Sequence, residues 1–376
     1  MPTTQVQPGA ARGETTMTNP AIDIRQMLTL TDDTGIFQHA RLALPDPNHG
    51  YCVDDNARAL IIAVRLRPDE HPAGTPGVEA LINRYLTFVA YAIDPETHRV
   101  RNFMGYERRW LEPVGSNDAQ GRALWSLAVT ASEAPLAHQR ALAGKAFLEA
   151  LPTTHALDSL RTWAFLTLAL DAWTRTPMGQ DDTVTQQRLA HHVDQLTRAY
   201  QAYQVPDWPW WEPTVTYDNA RLPLAMLRAG QLLRRDEYTA IGLASLTWLM
   251  HIQTHPDTGH LRIIGNDGWY SRSTGAAPTP PARFDQQPLE AAALIDACAA
   301  AYDATQDRAW LAHAERCLGW FHGQNDLAIP LIHPETGGCQ DGLTPTAVNQ
   351  NQGAESVLSY VMSCQTMRRY APRRRG

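Results

Sequence analysis

The sequence predicts an all-α fold, an (α/α)6 barrel with six inner helices, six outer helices and long functional loops in a single domain. Three observations predict it. First, a polar, carboxylate-bearing loop runs into a small-residue-rich apolar helix six times: at Tyr51–Arg58, Ser116–Arg122, Leu157–Leu160, Thr216–Arg221, Arg283–Glu290 and Asn349–Ser356. The spacing of roughly 40 to 70 residues is too irregular for a solenoid but suits a ring of helical hairpins. Second, segments apolar nearly all round alternate with amphipathic ones, and a helix apolar on every side belongs in a core. Third, little period-2 patterning marks strands; Arg262–Ile264 and Ile329–Ile332 are expected as short loop hairpins.

In chain order, an amphipathic outer segment at 22–30 precedes the first inner helix at 56–66, where Ala and Leu recur with few charges. The pattern repeats as outer 77–93 and inner 120–132, then outer 136–150 and inner 159–175. Outer 183–203 shows it plainly. Val184, Leu189, Val193, Leu196 and Tyr200 share one side, opposite Arg188, His192, Asp194 and Arg198. Inner 219–233, outer 237–253, inner 287–302, outer 307–322 and inner 353–367 complete the two rings. The longer breaks at 94–116, 204–217, 254–285 and 323–349 hold most of the Gly, Pro and loop aromatics, and long ordered loops are usually functional. No Gly, Pro or Ser linker divides the helical region. The expected domains are a disordered tail at 1–20, the toroid at 21–370 and a basic tail at 371–376.

Composition excludes several classes. With 44% hydrophobic residues the chain has material for a large core, and a net charge of −7 argues against a nucleic-acid surface. No apolar run approaches the roughly 20 residues that span a bilayer, so no membrane partner is expected. The N-terminus lacks the charged start and apolar centre of a signal peptide. The five cysteines are odd in number and far apart, without metal-type pairing, and read as reduced, buried thiols of a cytoplasmic protein. No glycine-rich phosphate loop, nucleophile elbow or zinc helix occurs, so no metal or organic cofactor is expected.

What remains is the set of carboxylates at helix starts. A single Asp or Asn there is first of all a cap, worth roughly 0.5–2 kcal/mol. Asp54-Asp55, however, places two like charges where one cap suffices, and Asp118 precedes Gly121-Arg122. If all six inner helices enter the core in one direction, their loops form one acidic, aromatic cleft. Glycosidic cleavage needs a protonated carboxyl at the leaving oxygen and an ionised one for water. Asp118 is the candidate acid, Asp55 the candidate base, and Asp285 a third acid able to replace either. Asp54, Asn56, Arg58, Arg122, Tyr217, Asn219, Gln287 and Asn351 are expected to read sugar hydroxyls. Glu212 and Glu355 are further acids, and Trp110 and Trp211 are expected to stack on pyranose faces. A sugar epimerase would instead use paired histidines. None of the histidines starts an inner helix, and no spacing supports a zinc site.

The motifs Thr31–Ala40, Gly50–Leu60, Ser116–Trp125, Phe284–Ala291, Asp341–Leu343 and Asn349–Ser356 together resemble a bacterial toroid module. That module is fused to, or encoded near, retaining-type glycosyltransferases, and is similar to six-hairpin glycosidases. The resemblance covers most of the chain from about residue 22. It implies carbohydrate metabolism, with a glycosyltransferase or mannoside phosphorylase as functional partner, and supplies no catalytic pair. Since no Rossmann-like portion lies ahead of residue 22, this sequence is not expected to act by itself as a sugar-nucleotide-dependent transferase. The leading expectation is a glycoside hydrolase acting on a β-linked mannoside or glucoside oligosaccharide by inversion. The alternatives are a histidine-based epimerase or isomerase, and a non-catalytic carbohydrate-binding partner of a glycosyltransferase.

Overall fold

The computed structural model describes residues 20–70, 72, 74, 77–272 and 280–371. The expected N-terminal tail and the basic run Arg373–Arg375 lie outside them. Among the described residues are twelve α-helices. The inner ones are α2 (Val53–Arg65), α4 (Asn117–Glu133), α6 (Leu160–Trp173), α8 (Arg221–Leu233), α10 (Pro288–Thr305) and α12 (Ala354–Arg368). The outer ones are α1 (Arg25–Thr29), α3 (Val78–Ala92), α5 (Ala137–Ala150), α7 (Thr183–Tyr203), α9 (Asp236–Ile252) and α11 (Ala309–Phe321). Each inner helix packs on the next, α2 through α12 and back to α2, so the ring closes. Every outer helix packs against an inner one, α1 against α12. The first outer helix is one short turn instead of the nine-residue segment 22–30 expected.

Small residues make the inner ring close-packed. On α10, Ala291, Ala293, Ala297, Ala300 and Ala301 are all buried. Between α4 and α6, a Cβ added at Gly121 would sit 2.8 Å from Cβ of Phe165, so only glycine allows that approach. The direction of the inner helices follows from which ends touch. Near the starts, Arg58 of α2 reaches Glu355 of α12 at 2.9 Å, and Arg122 of α4 reaches Asp218 beside α8 at 2.8 Å. Near the ends, Arg65 of α2 reaches Glu133 of α4 at 2.8 Å, and Gln365 of α12 donates to the Ile62 carbonyl at 3.0 Å. The inner helices therefore run parallel, and six loops meet at one mouth.

Short antiparallel ribbons brace that mouth: β1 (Ala40–Arg41) with β2 (Leu44–Pro45), β3 (Tyr51–Cys52) with β4 (Phe103–Met104), and β5 (Thr214–Val215) with β6 (Tyr270–Ser271). The hairpins expected at 262–264 and 329–332 are only isolated bridges, Thr254 to Leu261, His322 to Pro330 and Ile332 to Cys339. Their pairing partners are too few to propagate a ladder. All five cysteines are free and buried. Among the described residues no helix is long and apolar enough to cross a membrane.

Candidate active site at the inner-helix starts

Each inner helix delivers polar side chains to the mouth from its first turn. On α2, the Cys52 sulfur accepts from the Asp55 amide at 3.4 Å, and its thiol donates to the Asp55 carboxylate at 3.0 Å. Asp55 is only 3% exposed. Arg58 donates to it at 2.7 Å, and to Glu355 with its other nitrogen. Burial pushes the Asp55 carboxyl up to about 6; Arg58 opposes this, and nearby Glu355 adds to it. Asp54 is half-buried on the neighbouring face, where it accepts from Asn102 at 3.2 Å and lies 3.6 Å from Arg122.

On α4, Ser116 caps the helix and frees Asp118 from that task. Three hydroxyls converge on Asp118: Ser159 at 3.0 Å, Thr162 at 2.6 Å, and Tyr217. Asp118 is half-buried and Tyr217 is exposed at the mouth. One turn on, Arg122 lies over the Phe165 ring and holds buried Asp218. From α6, Arg161 pairs with Glu212 at 2.5 Å and donates to the Tyr217 carbonyl at 3.0 Å. Asp218 sits at φ 44°, a left-handed conformation that Asp tolerates better than most residues.

Asp218 also takes Arg221 at 3.1 Å, and Arg221 takes Asp296 at 2.6 Å. The floor of the cleft is thus an alternating chain, Asp54–Arg122–Asp218–Arg221–Asp296. On α10, buried Glu290 accepts from the backbone amides of Asp218 and Asn219 and from the Asn219 side chain. Burial, reinforced by Asp218, pushes Glu290 up to about 7. On α12, the Glu355 side chain is 44% exposed. Behind it Asp341 accepts from the Gly353 amide at 2.9 Å, and burial, with Glu355 adding, raises its pKa.

The mouth therefore gathers Asp54, Asp55, Arg58, Asp118, Arg122, Glu212, Tyr217, Asn219 and Glu355. Asn219 is spent on Glu290 and Arg161, and Asn56 is spent on Ile36 and Cys52. Asn351 accepts from the Leu42 amide at 2.9 Å, and half-buried Gln287 stands at the start of α10. Asn351 therefore serves a loop that frames the cleft.

The expectation that Trp211 stacks on sugar is corrected. It is fully buried and its indole donates to the Leu196 carbonyl at 2.9 Å. Trp208 and Trp210 are buried with it against Trp248, because a run of indoles next to α7 and α9 gains more by filling the barrel wall. Trp110 packs on Phe88 and Tyr91 of α3, under the Arg101 guanidinium, and belongs to the outer ring. Asp285 is exposed beside a loop, its carbonyl engaged by the Asn266 amide, and no hydrogen bond among the described residues ties it to the floor. Sequence reasoning missed Arg161, Asp218, Arg221, Glu290 and Asp341. One signal was present: the tetrapeptide Asp-Asn-Ala-Arg occurs at both Asp55–Arg58 and Asp218–Arg221.

No family model and no curated protein matches the chain by sequence. Solved structures do match by fold. Cellobiose 2-epimerase from Bacillus thermoamylovorans superposes with a TM-score of 0.69 at 12% identity, covering 93% of this chain and 96% of that one. A D-mannose isomerase gives 0.66 at 11% identity over 92% and 95%. An α-mannanase of glycoside hydrolase family 76 from Bacteroides thetaiotaomicron gives 0.59 at 13% identity over 85% and 86%. The chain has the fold of these enzymes.

Proposed function

We propose that the protein is a glycoside hydrolase acting on an oligosaccharide, a β-linked mannoside or glucoside, by inversion. The observation that carries this reading is the pair Asp118 and Glu355. They are carboxylates at inner-helix starts that keep open faces on the cleft, and they stand on helices separated by α2. Their surroundings differ in the way acid and base require. Asp118 receives three hydroxyl donors, an environment built around an acceptor. Glu355 shares Arg58 with Asp55 and lies beside Asp341, and both of those neighbours are held above the ordinary carboxylate range. Asp55 and Glu355 flank one guanidinium with Asp341 behind Glu355, and the groups here that hold a proton more readily than an ordinary carboxyl are Asp55 and Asp341. The roles differ from those anticipated from sequence: the Glu355 cluster protonates the leaving oxygen, Asp118 draws a proton from water, and Asp55 positions Arg58. Water adds across the bond and the anomeric centre inverts. Exposed Tyr217 supplies an aromatic face, and half-buried Asp54 and Glu212 reach sugar hydroxyls.

One observation favours a second reading, an epimerase or isomerase. His39 and His49 meet edge to face with ring centroids 4.5 Å apart, and the charges of Asp341 and Glu355 act on His39. That pair would move a proton on and off a sugar carbon without changing chain length.

The test is a panel of manno- and gluco-oligosaccharides given to wild type, Asp118→Asn and Glu355→Gln. Expected is hydrolysis by wild type with a loss of about 10²-fold or more in each variant. Hydrolysis surviving both substitutions would refute the assignment. Deuterium taken up from heavy water at unchanged chain length would move the reading to the epimerase. Binding without any turnover would leave a carbohydrate-binding partner, such as a glycosyltransferase or mannoside phosphorylase would use.

A further inference from the structure

A second concavity opens at the other mouth of the barrel, among the ends of the parallel inner helices. Its volume is about 590 Å³, within the usual span of small-molecule sites. Arg65, Arg175, Arg228, Arg368 and Arg369 line it, from α2, the end of α6, α8 and α12. Half-buried Trp125, with Leu168 and Leu224, supplies apolar wall. Ile61, Trp125 and Met362 border both this cavity and a small pocket under the cleft floor, and the Arg221–Asp296 pair runs from one to the other.

Cations at helix ends complement the helix dipole, and that accounts for Arg65 and Arg368, which sit in last turns. It also accounts for Arg175, which donates to the Asp171 carbonyl in the last turn of α6 at 3.2 Å, but not for Arg228, more than a turn before the end of α8. The acids of the lining are already engaged. Glu133 holds Arg65 at 2.8 Å and Asp171 holds Arg175 at 2.9 Å. Asp296 is occupied by Arg221 at 2.6 Å and by Thr366 at 2.7 Å. Each guanidinium has five N–H donors, and these pairings use only part of them. Arg175 and Arg369 keep side chains 48% and 54% exposed, and Arg228 and Arg369 share the single carboxylate of Asp303 at 3.2 and 3.7 Å. The cavity therefore offers surplus planar donors beside an aromatic wall, with its carboxylates spent. That is the chemistry of phosphate recognition.

We infer that this cavity binds a phosphate-bearing sugar, with its phosphate on Arg175, Arg228 and Arg369. The site is independent of the reaction assigned to the cleft. Calorimetric titration of the whole protein with glucose 6-phosphate, inorganic phosphate and glucose tests it. One saturable site is expected for glucose 6-phosphate. Affinity should fall about tenfold or more in Arg175→Gln/Arg369→Gln, whose partly exposed positions leave the thermal midpoint near wild type. Asp118→Asn, altered only at the cleft, should bind as wild type does. Arg228→Gln alone provides a second check and should weaken binding in the same direction. Inorganic phosphate binding as tightly as glucose 6-phosphate would support the arginine site with free phosphate as its ligand. Binding of glucose alone with equal affinity would overturn the inference, as would no binding of either phosphate. Binding lost in Asp118→Asn but retained in the arginine variants would also overturn it, by placing the ligand in the cleft.

Discussion

Asp55→Asn should make the protein's stability less dependent on pH, in a direction opposite to the simple loss of an ion pair. In the folded chain burial lifts Asp55 from the ordinary 3.8 to about 6. At about 1.4 kcal/mol per pKa unit, ionising this group in the native state costs about 3 kcal/mol relative to the unfolded chain. The native pKa is the higher one, so between about pH 4 and pH 6 the folded state binds more protons than the unfolded state. The contribution is fully present below the unfolded pKa and is lost as pH rises through about 6. Asparagine preserves the local contacts, since its carbonyl can accept from Arg58 and its amide can face the Cys52 sulfur. Arg58 also keeps Glu355 at 2.9 Å, so its charge is not left without a partner. Glu290 and Asp341, also shifted upward, contribute in wild type and variant alike and cancel in the difference. Urea unfolding at pH 4.5 and pH 8 reads the effect. Wild type should lose about 2 kcal/mol relative to Asp55→Asn across that interval, because at pH 4.5 the unfolded carboxyl is already mostly ionised. Parallel stability profiles for the two proteins would refute the account of Asp55 as a carboxyl forced upward by burial.

Gly121→Ala places a methyl 2.8 Å from Cβ of Phe165 and should cost about 1–3 kcal/mol through overpacking of α4 against α6. An unchanged urea midpoint would contradict that packing. Tyr217→Phe removes one hydroxyl from Asp118 and should lower kcat about tenfold or more on whichever oligosaccharide proves to be cleaved. An unaltered kcat would show that Tyr217 does not position Asp118.

Much of the fold was legible in the sequence because helix periodicity is local. The inner segments expected at 120–132, 159–175, 219–233, 287–302 and 353–367 all appear, with starts moved by three residues at most. The exception in length was α1, where the apolar residues of 22–30 are buried or half-buried but the helix lasts only one turn and the chain turns into a loop after Thr29. Loop aromatics misled, because a tryptophan reads the same whether it faces solvent, as Trp269 does, or fills a wall, as Trp211 does.

By itself the sequence determined that six polar junctions precede six apolar helices, since alternation of buried and half-buried faces admits few closed arrangements. Only the tertiary structure decided what each junction does. Arg58 and Glu355 are 297 residues apart in the chain and Arg122 and Asp218 are 96 apart, yet both pairs form ion pairs across the ring. Such partners follow from ring closure, which no local pattern encodes. Closure also divides the acids, leaving Asp118 and Glu355 open on the cleft while Asp55 and Glu290 go under its floor. Whether a carboxylate is a reagent or a support depends on that burial, and burial is a property of the assembled barrel.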